Sequence, residues 1–123
     1  MQKYILMLLL LFFINAVQSQ EKSIAITDAA LKESIYNQYK KEVLNYSMKE
    51  FEYLFFEFSD KKHQENLILT KEEFYTYTVK IAIFSDRLAA LYPKEKEAAE
   101  ASKKQWMSES YQDYLLSKQA VQK

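Results

Sequence analysis

Apolar residues recur every third or fourth position in four stretches of this chain, which predicts four amphipathic helices between about residue 27 and the C-terminus. The first, about 28 to 44, carries Leu31, Ile35, Tyr39 and Val43 at four-residue spacing, with Tyr36 on the flank. The second, about 48 to 58, gathers Phe51, Leu54, Phe55 and Phe58 on one side and leaves Tyr53 and Phe56 on the other. The third, about 71 to 92, has one stripe of Phe74, Tyr77, Ile81, Phe84, Leu88 and Leu91 and a second of Tyr75, Val79 and Ile83. The fourth starts at Pro93, with Glu95 and Glu97 near its positive dipole end. Its first half has only alanine as apolar content and is expected in solvent; its second half buries Met107, Tyr111, Tyr114 and Leu115, with Trp106 at the edge.

Local chemistry marks where these helices begin. In Tyr46-Ser47-Met48-Lys49-Glu50-Phe51, Ser47 and Glu50 form a reciprocal capping box, and Tyr46 and Phe51 a hydrophobic staple across it. Leu69-Thr70-Lys71-Glu72-Glu73-Phe74 repeats the device, while Ile26-Thr27-Asp28-Ala29-Ala30-Leu31 keeps the staple without the box. Between the two boxes, Ser59 to Asn66 holds no apolar residue and reads as a loop. Continuing the second helix through it would put Lys62 on the face of Phe51 and Phe55, so a stop near Phe58 is expected. Residues 74 to 84 also alternate like a strand, but the Thr70 box and the lack of a comparable partner segment favour a helix.

Ahead of these helices lies a different pattern. Met1-Gln2-Lys3-Tyr4 precedes an unbroken apolar run from Ile5 to Ile14, and Asn15-Ala16-Val17-Gln18-Ser19 offers a cut after Ser19. This is the anatomy of a secretory signal peptide, residues 1–19. The run is shorter than the roughly 17 to 25 apolar residues that a permanent anchor needs. No membrane association is expected after cleavage. An extended or disordered segment, 20–26, then leads into one helical domain, 27–123, so the expected fold is all-α, a small four-helix bundle.

Composition narrows the classes further. The chain has no glycine, where average usage of about 7% would place roughly nine. A Walker loop, a dinucleotide fingerprint and a nucleophile elbow each need glycine at fixed offsets and are excluded. There is no cysteine either, so an exported product is held by packing alone, which suits a bacterial periplasm or exterior. Removing Lys3 with the leader leaves sixteen basic and seventeen acidic side chains, interspersed, and nucleic acid is not an expected partner.

Few residues offer reaction chemistry. His63 is the only histidine, and with Asp60 and Glu65 it forms the one set worth testing as a metal site, although solvated loop polarity explains the same residues. Serines have no histidine partner at a diagnostic spacing. No enzyme activity and no cofactor are expected. The aromatic content is a different matter. Beyond the leader there are nine tyrosines, six phenylalanines and Trp106, more ring surface than one face per helix absorbs. Tyr53, Phe56, Tyr75, Val79 and Ile83 are the expected partner-binding residues, in an exported, non-enzymatic protein-interaction domain that self-associates or binds another envelope protein. Two alternatives stand beside it. Leu69-Thr70-Lys71-Glu72-Glu73 resembles, once and with Glu for Gln, the Leu-Thr-x-x-Gln motif of small envelope chaperones, a string that a capping box also produces. A carrier of a small molecule or metal would instead use a pocket between helices lined by Tyr36, Tyr39, Tyr111 and Tyr114, or hold ions at His63.

Overall fold

The computed structural model describes residues 27–121, so the leader, the 20–26 segment and the last two residues lie outside the described part. Among the described residues five α-helices follow one another: α1 (27–43), α2 (Met48–His63), α3 (Lys71–Leu91), α4 (Lys96–Met107) and α5 (Tyr111–Val121), with a 3-10 turn at Pro93–Glu95. No strand occurs among the described residues, and 74 to 84 is helical throughout. From Lys32 onward the described residues form one compact unit.

Both capping boxes form as their sequences predict. The Glu50 amide donates to the Ser47 hydroxyl at 3.1 Å and the Ser47 amide to the Glu50 carboxylate at 3.2 Å. Thr70 and Glu73 do the same, with both bonds at 3.1 Å. Each box satisfies two amides that a helix start leaves without partners.

Helix α3 is the hub, packing on α2, α4, α5 and the 3-10 turn. Phe74, Tyr75, Val79, Ile81, Ala82, Ile83 and Phe84 are all buried, so its two apolar stripes merge into core through the middle of the helix, while Glu72 and Glu73 at its start and Leu91 at its end are exposed. Two polar residues share that interior because they bond locally: the Thr78 hydroxyl donates to the Tyr75 carbonyl and Ser85 to that of Ile81. Around this helix Phe51 stacks on Phe84 with ring centroids 4.1 Å apart, and Phe74 on Tyr114 at 4.8 Å. Ile35 and Val43 from α1, Leu54 and Phe58 from α2, Ala99 from α4 and Leu69 from the loop complete the core.

The structure corrects the sequence at two helix ends. First, α2 runs on through Ser59–His63 instead of stopping near Phe58. Lys62, which argued against this, keeps its ammonium group 5.8 Å from the Phe58 ring centroid, and neighbouring Lys61 lies 5.5 Å from that of Tyr77 while pairing with Glu57 at 3.6 Å. A basic last turn also suits the negative end of the helix dipole. Buried Lys118 of α5 donates to the Gln64 carbonyl just beyond this end.

Second, the expected fourth helix is two. The Ser108 hydroxyl donates to the Gln105 carbonyl at 2.7 Å, and the Lys32 ammonium takes the Met107 carbonyl at 2.9 Å, which closes α4. Ser110 then accepts the Asp113 amide at 3.3 Å as the cap of α5. Pro93 opens the 3-10 turn, not the α-helix, which starts at Lys96. None of the described helices is long and apolar enough to cross a membrane.

Candidate interaction surface

Helix α2 has two faces because its aromatic residues are spread around the axis. Leu54 and Phe58 point inward and Phe51 lies on Phe84. Tyr53 and Phe56 sit on the opposite side and are 74% and 65% exposed. Phe55 falls between, with its ring tilted against Phe51 at 6.1 Å and edge-on to Trp106 at 6.3 Å. Isolated exposed apolar residues are ordinary; two large rings one helical turn apart on a single face are a patch.

Tyr75, Val79 and Ile83 do not belong to that patch. At 1%, 0% and 0% exposure they are interior, and the Tyr75 hydroxyl accepts the Tyr111 amide at 3.0 Å. The expectation that they meet a partner is corrected by the central position of α3, which turns surplus apolar surface into core. Of the five expected partner-binding residues, the structure leaves Tyr53 and Phe56 available.

Beside Tyr53 opens a cleft of about 500 Å³, which Tyr46, Lys49, Glu50, Leu54 and Lys80 help to line, and an adjoining one of about 330 Å³ shares Leu54, Glu57 and Lys80 with it. The second also has Glu72 and Glu73 on its wall. Most of these charges are already engaged. Glu50 and Glu73 serve the capping boxes, Glu57 pairs with Lys61, and the Lys80 ammonium stands 4.3 Å from the Tyr39 ring centroid. Hydrogen bonds from the Thr70 backbone and hydroxyl hold the Glu73 carboxyl below its ordinary pKa.

The other candidate residues fall into separate local arrangements. His63 Nδ1–H donates to the Ser59 carbonyl at 2.7 Å, one turn back on its own helix, and Asp60 accepts from the Gln64 amide at 3.1 Å. No group of three or more His, Cys, Asp or Glu that could hold a metal is found among the described residues, so Asp60, His63 and Glu65 do not converge as ligands.

The four tyrosines proposed for a carrier pocket are likewise split among three places. Tyr39 meets Lys80; Tyr111 and Tyr114 bond to the backbone of Leu69. Tyr36 donates to Asp86, and Lys103 donates to the Tyr36 hydroxyl at 3.1 Å while pairing with Asp86 at 3.0 Å. Burial raises the Tyr36 hydroxyl above its ordinary pKa, and the bond to Asp86 adds to this, so the phenol stays protonated near neutrality. This trio joins α1, α3 and α4 across gaps of 50 and 67 residues. No local motif announces it. By contrast, the Ser110-x-x-Asp113 cap was available in the sequence as a sign of a fifth helix.

Comparison of the chain with known protein families, with characterised proteins and with solved structures finds no match.

Proposed function

We propose that this protein is an exported, non-enzymatic helical domain that acts by holding a polypeptide against the outer face of α2, in a bacterial envelope or outside the cell. The supporting observation is the placement of Tyr53 and Phe56 in solvent on a helix whose other side is packed. Covering a large apolar side chain is worth about 1.5 to 3 kcal/mol, so two adjacent rings supply the centre of a small interface. The signal-peptide pattern of residues 1–19 supports export. The non-enzymatic reading draws on the lone histidine, which is bonded to its own helix, and on the hydroxyls of Tyr36 and Tyr111, committed to bonds with Asp86 and the Leu69 carbonyl.

Photo-crosslinking tests the proposal. A benzophenone amino acid at position 53 or 56 should give adducts with a polypeptide, either in the envelope fraction of the native host or in the concentrated purified protein. The same probe at exposed Glu97 on α4 should give none. Absence of protein adducts at 53 and 56, or equal labelling at 97, overturns the reading.

A further inference from the structure

The exposed face of α2 carries more than its two rings. Lys49, Tyr53, Phe56 and Asp60 are spaced by four, three and four residues, the spacing of a coiled-coil seam, and all four are exposed. At about 100° per residue they lie within a strip roughly 60° wide, opposite Leu54 and Phe58. A basic residue stands at one end of the strip, an acidic one at the other, and the rings lie between.

This pattern is complementary to itself in one direction only. With a second α2 laid antiparallel about a twofold axis passing between Leu54 and Phe55, Tyr53 faces Phe56 of the other copy and Lys49 faces its Asp60. Both contacts then occur twice. A parallel pair places Lys49 against Lys49 and Asp60 against Asp60, and like charges in register oppose association. The flanking carboxylates do not reverse this preference. Glu57 pairs along its own helix with Lys61 at 3.6 Å, Glu50 accepts the Ser47 amide at 3.2 Å, and exposed Glu52, on the other flank, falls nearest Ser59 of the second copy and not a carboxylate.

Resting on the protein-binding reading above, we infer that the occupant of this face is a second copy of the same chain, paired antiparallel along α2 through Tyr53 and Phe56 and held in register by Lys49 and Asp60. A single four-turn helix face falls at the small end of protein interfaces, so the dimer is a reversible one, with a dissociation constant on the order of 100 µM.

The chain lacks cysteine, which makes register directly testable. In the antiparallel pair the two copies of position 49 are eleven residues apart along the axis, about 16 Å at 1.5 Å per residue, too far for a disulfide. The full chain carrying both Lys49→Cys and Asp60→Cys, oxidised after export, should therefore form covalent dimers, while either single variant should not. Sedimentation velocity over about 10 µM to 1 mM should show dimerisation that falls about tenfold with Lys49→Glu or Asp60→Lys and returns to within about threefold in the combined charge swap. Circular dichroism of each variant should match the parent, since these side chains are exposed.

A monomer at about 1 mM, disulfide dimers of the single variants, or a charge swap that fails to restore association overturns the inference. Crosslinks from positions 53 and 56 to a different polypeptide and never to a second copy also overturn it, while leaving the protein-binding reading in place. Loss of both kinds of adduct removes the two together.

Discussion

The Tyr114 hydroxyl accepts the Leu69 amide hydrogen at 2.9 Å, across 45 residues of sequence, and the neighbouring Tyr111 hydroxyl donates to the Leu69 carbonyl at 2.7 Å. Both polar groups of one loop peptide position are thus satisfied by successive turns of α5. Leu69 itself is buried, so its backbone has little water to fall back on.

Tyr114→Phe removes the acceptor and leaves that amide unpaired. The expected loss is about 1 to 3 kcal/mol in urea unfolding, with Tyr111→Phe somewhat milder because a carbonyl retains other ways to be solvated. The two losses should not add, since both act on the docking of α5. A Tyr114→Phe variant as stable as the parent contradicts the arrangement.

Charged substitutions separate core from surface on neighbouring helices. Val79→Asp places a carboxylate at a fully buried site of α3 and should cost about 4 kcal/mol or more, enough to prevent folding of a modest domain. Tyr53→Glu, in solvent, should change the unfolding midpoint by no more than a surface substitution does, about 0.5 kcal/mol. Thermal melts followed by circular dichroism distinguish the two.

The Tyr36–Asp86–Lys103 trio gives stability an alkaline limit. Burial, then the bond to Asp86, raises the Tyr36 pKa in the folded state. For Lys103, burial alone would lower the pKa, but Tyr36 and Asp86 outweigh it and the balance is upward. Groups whose pKa is raised on folding contribute stability that is complete below their unfolded values and is lost as pH climbs through the folded ones. The melting temperature should therefore fall as pH rises above about 10, and fall less in Tyr36→Phe. A midpoint that stays level between about pH 9 and 11 counts against this linkage.

At the other end of the scale, the Thr70 cap holds the Glu73 pKa down, so its contribution is present above the unfolded pKa and disappears as pH falls through the folded one. Thr70→Ala should cost about 1 kcal/mol at neutral pH and less at about pH 2, where the carboxylate partner is already protonated. Equal costs at both values would show that the box contributes only through the hydroxyl.

Much of the helical framework was readable before any coordinates. The starts of α2 and α3 depend on side chains three residues from the amides they satisfy, and helical periodicity depends on near neighbours, so sequence alone determined that Ser47 and Thr70 begin helices and that 74 to 84 is not a strand. Sequence also shows that the chain has no glycine or cysteine and opens with a leader-like pattern. Which apolar faces are covered was decided by tertiary structure. Tyr75, Val79 and Ile83 looked as surplus as Tyr53 and Phe56 until α3 took the centre of the assembly and α2 its edge. The extension of α2 to His63 depends on rings, such as that of Tyr77, that come from another helix, and the bonds of Leu69 depend on tyrosines more than forty residues away. Burial and long-range hydrogen bonds join residues that are remote along the chain; local pattern therefore specifies each helix, and packing alone assigns its faces.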